Sequence, residues 1–464
     1  MTVSQLARVL GDSPPDQWAH LGTTPILGIS TDTRSLQPGE LFVALRGTNF
    51  DGHQFLRQAR EKGAAGALVD PQFYANVYPS SLESWPLWPV PDTLVAYQDL
   101  GRWWRQQFTG PVIGITGSVG KTTTKELIAA ALATQGPVCK TVANYNNEIG
   151  VPKTLLGLSL TDRYAVIEMA MRGRGEIARL TQIAQPTIGV ITNVGTAHIG
   201  RLGSEEAIAE AKCELLAEMS PDAVAILNHD NPRLMATAGR FWSGTTISYG
   251  LEGGDLHGVL VDSQTLEVAE MRFQLPLPGR HNALNFMAVL AIAKVLEIPW
   301  DGLQQLSVEL PGGRARRYQL PQDLMILDET YNAGLESMKA AIQLLAETPG
   351  ERRIAVLGTM KELGERSIEF HRQVGETVKE LGIDAVFVFA DAAEGAAMAA
   401  GAQGVPAIVV EDITAENAHN ILAEKLQEFC RPGDRLLLKA SHSVELNRVV
   451  DLLVSHYQAE GNRQ

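Results

Sequence analysis

The stretch GITGSVGKT at residues 114–122 limits what this chain can fold into more than any other, because it fits the pattern G-x-x-x-x-G-K-[ST]. A short β-branched apolar run precedes it at 112–116, and a helical pattern follows at 122–133. Strand, glycine-rich turn and helix in that order build a loop whose N–H groups converge on phosphate oxygens. The positive end of the helix dipole stands behind them. Gly117, Ser118, Val119, Gly120 and Thr123 line that loop. Lys121 is placed to bridge the β- and γ-phosphates of ATP, and the Thr122 hydroxyl to bind Mg²⁺.

The surrounding pattern sets the fold class. At roughly 100–200 residues per domain, 464 residues make two to four domains. Short strand-like runs at 40–45 and 67–69, a loop rich in Pro and Trp at 84–91 and a helix at 99–108 make a first block, 1–109. From 110 to 313, strands at 112–116, 164–169, 187–193 and 223–228 alternate with helices at 122–133, 205–219 and 283–296. That alternation predicts a mainly parallel sheet covered by helices. Pro311, Gly312 and Gly313 form a hinge. From 314 to 464 the style repeats, with strands at 325–327, 353–357, 385–389, 407–410 and 435–438. The expectation is α/β throughout: a small α/β N-terminal domain, a central P-loop domain and a Rossmann-like, doubly wound C-terminal domain.

Composition excludes several function classes. Hydrophobic residues make up 45% and charged residues 20%, so each domain can bury a core of its own. The net charge of −14 repels nucleic acid and anionic membrane, so neither is expected as a general partner. Cys139, Cys213 and Cys430 are far apart and odd in number, which argues against disulfides or a zinc site and for a reducing compartment. The start, MTVSQLARVLG, lacks the layout of a secretory signal. No run of about twenty apolar residues is present, so no membrane insertion and a cytoplasmic location are expected.

A phosphate loop specifies a nucleotide, not a reaction. An acidic residue at the end of a nearby strand is needed to hold Mg²⁺. Glu168 ends the strand that follows the loop's helix, whereas Asp328-Glu329 ends an apolar run across the hinge. The second choice would make the chain a mechanical P-loop ATPase with a Walker B motif. Asn193 closes the 187–193 strand and His198 follows it in a loop. Lys212 lies on the next helix, which Ser204 caps and Glu205 and Glu206 open. Glu168 and His198 together could hold Mg²⁺ on the γ-phosphate. Lys212 by itself reads as a solvated lysine.

Together these segments resemble the Mur ligase family of peptidoglycan synthesis. The resemblance rests on TGSVGKTTTKE, NYNNEIGVP at 144–152, Glu168, the run from Asn193 to His198, and GRHNALN at 279–285. At the N-terminus, STDTR at 30–34, PGELFVAL at 38–45, Gly47 and DGH at 51–53 resemble the uridine-nucleotide domain of the third- and fourth-step ligases. LDETYNA at 327–333 and LGTMKELG at 357–364 resemble the fourth-step, MurF-type members. DNPR at 230–233 has the letters by which diaminopimelate-adding members hold their amino acid, but it lies in the central block and reads as a turn.

The resemblance implies an ATP-dependent amide-bond ligase. It would join D-alanyl-D-alanine to UDP-N-acetylmuramoyl-tripeptide through an acyl-phosphate, leaving ADP and phosphate. A monomer with two Mg²⁺ ions is expected. It also implies roles: Ser30, Thr31, Arg34, Asn144, Asn146 and Asn147 on the muramyl substrate, Asn282 on adenine, and Arg314, Asp328 and Tyr331 on the nucleotide from the third domain. Thr122, Glu168 and His198 would hold metal, Lys121 would act on the transferring phosphoryl group, and Lys212 would be carbamylated. The chain departs from the family where Gly334-Leu335 stand for Asn-Pro, Thr359 for Asp, and Lys439-Ala-Ser-His442 for K-G-S-R. The competing expectations are a sister ligase that adds a diamino acid, the mechanical ATPase, and an inactive binding protein of the same fold.

Overall fold

The computed structural model describes all residues except 12–14, 16, 17, 19, 48, 49, 78–84, 411, 412 and 462–464. Three sheets follow one another along the chain. The first is parallel, in the order Ile29–Ser30, Leu41–Val43, Gly66–Val69, Leu87–Pro89. The stretch expected to be loop at 84–91 therefore contains an edge strand. Its proline sits at the strand end, where no ladder donor is needed. Ser84 lies outside the described residues.

The central sheet has nine strands. Its parallel part runs Leu256–Asp262, Thr246–Gly250, Val224–Asn228, Ile188–Ile191, Val112–Thr116, Tyr164–Glu168, Val138–Lys140. The strand before the phosphate loop is thus central, flanked by the strands ending in Glu168 and Ile191. Helices cover both faces, so these three strands are buried along their whole length, which explains their unbroken apolar runs. An antiparallel extension, Thr265–Val268 and Met271–Gln274, closes one edge. There alternate residues are exposed, as one-sided packing requires.

The third sheet runs Arg316–Leu320, Leu324–Asp328, Asp434–Lys439, Arg352–Gly358, Ala385–Phe389, Ala407–Val409, parallel except for its first pair. Helix Thr93–Gln106, after the first sheet, packs on the central domain. Arg105 donates to the carbonyls of Phe108, Ala184 and Gln185, and Gln98 to that of Glu148. One continuous apolar core joins the central domain to the third, running from Ile199 and Ile208 to Met360, Leu363 and Leu437. Among the described residues no helix is long and apolar enough to cross a membrane.

Candidate active site

Register brings the carboxyl ends of three central strands to one place. Ile115 pairs with Glu168, and Thr116 with Ile191, so the turn at 117–120 emerges between Glu168 and Thr192–Asn193. Gly117 sits at φ 154°, and a Cβ there would come within 1.9 Å of Thr192 Oγ1. Gly120 sits at φ 81°, where a Cβ would meet Asn285 Oδ1 at 2.7 Å. Both positions require glycine for conformation and for space.

The loop is held from the neighbouring strand end. Asn193 accepts from Val119 N at 3.0 Å and returns its amide to Val119 O, while Thr192 Oγ1 donates to the same carbonyl at 2.7 Å. Ser118 Oγ accepts from Gly195 N. Lys121, at the start of helix Lys121–Ala133, folds back on Gly117 O at 2.7 Å and Ser118 O at 3.3 Å. Burial pushes its ammonium below the usual lysine range. Glu168 opposes that shift and Arg314 adds to it.

Glu168 is 2% exposed. Its Oε1 accepts from Thr122 Oγ1 at 3.2 Å and Asn146 Nδ2 at 2.8 Å. Its Oε2 is buried with no hydrogen-bond partner. Lys125 Nζ lies 3.7 Å from Oε2 and is itself satisfied by Thr141 O and Glu126. Lys140 completes the chain with an ion pair to Glu126. A buried acceptor left open beside a threonine hydroxyl and a phosphate loop fits a cation bridging protein to phosphate. Among the described residues no three His, Cys, Asp or Glu form a ready cage. Mg²⁺ is commonly held by one or two carboxylates plus substrate phosphates.

His198 precedes the short helix Ile199–Leu202 at φ 67°. Its Nδ1 bonds Glu362 Oε2 at 2.7 Å, across the gap to the third domain. Burial pushes its pKa down, Glu362 raises it, and Lys121 and Lys212 lower it. Lys212, inside helix Glu205–Glu218, is 2% exposed and has no hydrogen bond or ion pair among the described residues. Burial, then Lys121, drives its ammonium well below the usual range. These mutual effects gather Lys121, His198, Lys212, Glu168 and Arg314 into one cluster.

Asn282 and Asn285 on helix Arg280–Val295 join the same edge through a relay. Asn282 bonds Pro278 O and Asn285, and Asn285 Oδ1 accepts from Thr124. From the third domain, the Arg314 guanidinium lies 3.5 Å over the Tyr331 ring, which also stacks on His442. Arg314 Nε is buried with no partner. Asp328 holds Thr330 by its backbone N–H and hydroxyl, so it stiffens the strand end. Lys439 donates to Asn332 O and sits near the half-buried Glu329 carboxyl, whose pKa desolvation raises. Of the departures from the family pattern, Thr359 is buried with its Oγ1 on Asp391 N, and Gly334 N bonds Ser337 Oγ.

The remaining candidates stand apart from this cluster. Asn147 caps helix Gly150–Leu156, accepting from Ile149 and Gly150 N, and Asn144 is exposed. Ser30 Oγ and Asp32 form a tight turn, and Arg34 pairs with Asp32 at 2.7 Å while 86% of its side chain is exposed. Lys153 and Tyr145 act electrostatically on Asp32 and Arg34, so this loop faces the 144–153 segment. Thr31 is half-buried in the same turn. Asp230 of the DNPR stretch accepts from Leu251 and Glu252 N and pairs with Arg280, and Asn231 caps helix Pro232–Phe241.

The Mur ligase middle domain matches residues 115–293, the Mur ligase glutamate ligase domain 313–442, and the Mur ligase family catalytic domain 25–85. A UDP-N-acetylmuramoyl-tripeptide–D-alanyl-D-alanine ligase of Synechocystis is 57% identical over 93% of this chain and 92% of its own length. The enzyme of that name from Bacillus subtilis is 37% identical over 93% and 94%. Among solved structures, MurF from Acinetobacter baumannii superposes with a TM-score of 0.85 at 30% identity over 98% of both chains. MurF from Thermotoga maritima in complex with ADP gives 0.82 at 29% identity, covering 94% of this chain and 99% of that one.

Proposed function

The chain belongs to the Mur ligase family, and we propose that it joins D-alanyl-D-alanine to UDP-N-acetylmuramoyl-tripeptide at the expense of ATP. The observation that carries this reading is the buried Glu168 carboxylate. One of its oxygens is tied to Thr122 and Asn146, and the other is buried without a hydrogen-bond partner, 3.7 Å from Lys125 Nζ. A mechanical ATPase using Asp328 is disfavoured, because Asp328 is occupied by Thr330 in another sheet.

A carboxylate does not accept an amine directly, because its oxygen is a poor leaving group. A terminal carboxylate oxygen of the tripeptide attacks the γ-phosphorus of ATP, and ADP leaves. The dipeptide amine then attacks the acyl carbon, phosphate departs with one carboxylate oxygen, and the nitrogen loses a proton. The enzyme aligns the reactants and neutralises charge. The backbone N–H groups of residues 117–122 and Lys121 serve the β- and γ-phosphates. Thr122, Glu168 and His198 would hold Mg²⁺, which when bound would supply positive charge beside the phosphates. Asn282 sits on the adenine side.

Arg314 and Tyr331 bring the third domain onto the nucleotide, and closure there excludes water that would hydrolyse the acyl-phosphate. Lys212 fits carbamylation, because its side chain is buried near Lys121 with no anionic partner among the described residues, and a carbamate would place an anion there. The 1–109 unit binds the uridine nucleotide through Ser30, Thr31 and Arg34, with Asn144, Asn146 and Asn147 at its border. The unit from 314 binds the dipeptide, and the chain acts as a cytoplasmic monomer.

The test is product mass after incubation with ATP, Mg²⁺, UDP-muramoyl-tripeptide and D-alanyl-D-alanine. Tripeptide plus dipeptide minus water is expected, with phosphate release that depends on the muramyl substrate. Phosphate release without that substrate, and no new mass, would replace this reading with the ATPase.

A further inference from the structure

The contact between His198 and Glu362 joins residues 164 positions apart in sequence and in different domains. We propose that Glu362 is a positioning residue for His198, so that the metal site is complete only when the third domain is docked. The proposal rests on the reading of His198 as a metal ligand. A carboxylate only accepts, so the Nδ1 that meets Glu362 Oε2 at 2.7 Å carries the proton. Nε2 then keeps its lone pair and makes no hydrogen bond among the described residues. That tautomer is the one that can ligate a metal, and a carboxylate behind the imidazole is the usual way to fix it.

The contact is anchored by backbone as well as by side chains. Both partners hold left-handed conformations, His198 at φ 67° and Glu362 at φ 64°. Gly200 N donates to Glu362 O at 3.2 Å. The two loops approach so closely that a Cβ on Gly200 would lie 2.6 Å from Gly364 N. Beside this, Glu336 of the third domain accepts from Thr196 N at 2.7 Å and Thr196 Oγ1 at 3.1 Å. The whole 195–202 loop is therefore clamped from across the interface at both ends. Arg201 Nη2 also reaches Glu362, at 3.3 Å, but it is half exposed and shares the carboxylate without touching the imidazole. It provides a control that removes a second partner of Glu362 without releasing the ring or the other cross-domain contacts.

The experiment measures Mn²⁺ affinity by its electron paramagnetic resonance signal, with ADP present and the full chain. Glu362→Ala should weaken Mn²⁺ binding about 10–100-fold, the usual effect of removing a metal ligand's supporting carboxylate. Glu362→Gln, whose carbonyl can still accept from Nδ1, should restore most of that loss. Arg201→Ala should stay near the wild-type value. Should Glu362→Ala fail to fold, Glu362→Asp keeps the charge, tolerates the backbone and draws the carboxylate back from the ring, so several-fold weakening is expected. Wild-type affinity in the folded Glu362 variants, with affinity lost in His198→Ala, would make the contact a domain contact only and overturn the proposal. Unchanged affinity in His198→Ala would remove the metal-ligand reading itself, and the proposal with it.

Discussion

The phosphate loop and the 30–34 loop both bind anions in this account, yet they are built in opposite ways. Around the phosphate loop the polar groups are at least partly buried, and those that shape the turn are bonded. Asn193, Thr192 and Ser118 fix the turn, and Lys125 backs Glu168 from a fully buried position. At 30–34 the charged group is in water, since Arg34 is 86% exposed and its carboxylate partner is its near neighbour Asp32. Charges act strongly in a dry, preorganised site and weakly in a solvated one. The difference teaches that the first region should govern the chemical step, and the second only how tightly a remote part of the substrate is held.

The sharpest way to break that contrast is Lys121→Ala. Turnover should fall roughly 10³-fold, about 4 kcal/mol of barrier, in a phosphate-release assay. Retained turnover would mean the loop is not the ATP site. Next in size is Lys125→Met, which leaves Glu126 and Glu168 buried with less compensation. Urea unfolding should show a loss of about 3 kcal/mol for the central domain. A loss below ~1 kcal/mol would class the pair with ordinary surface ion pairs. Arg34→Ala should raise KM for the muramyl substrate about tenfold with kcat unchanged, the signature of uniform binding, and leave stability within ~0.5 kcal/mol. A fall in kcat instead would place Arg34 at the reacting end.

A separate effect concerns pH. Burial, helped by Lys439, lowers the His281 pKa to about 4. The unfolded chain then binds a proton near pH 6.5 that the folded chain refuses until about pH 4. Its contribution to stability is fully present above pH 6.5 and is lost as pH falls toward 4. His281→Gln should flatten the unfolding midpoint across that window, and an unchanged slope would contradict it.

Much of the buried region was legible in the sequence, because its constraints are local. The glycines at 117 and 120 answer backbone and space, and β-branched runs mark fully buried parallel strands such as Ala385–Phe389. Glu168 stood out because it ends one of those runs. What escaped was set by contacts distant in sequence. Glu336 and Glu362 meet the 195–202 loop from 140 to 164 residues away, and nothing local in LGTMKELG announces such a partner. Lys125 is in the motif itself, yet only the fold shows that it faces Glu168. The strands Leu256–Asp262, Thr265–Val268 and Met271–Gln274, at one end of the central sheet, had a usable signal in their alternation, as in LEV and RFQ. Strand Arg316–Leu320 had none, since its charged RRYQL pairs along an exposed edge.

The central claim is that the tripeptide carboxylate is phosphorylated before the amide forms. The direct measurement uses UDP-muramoyl-tripeptide labelled with oxygen-18 in its terminal carboxylate, with mass analysis of the released phosphate. One labelled oxygen is expected in each phosphate released with ligated product. Product formed alongside unlabelled phosphate would mean that the carboxylate never carried the phosphoryl group, and would contradict it.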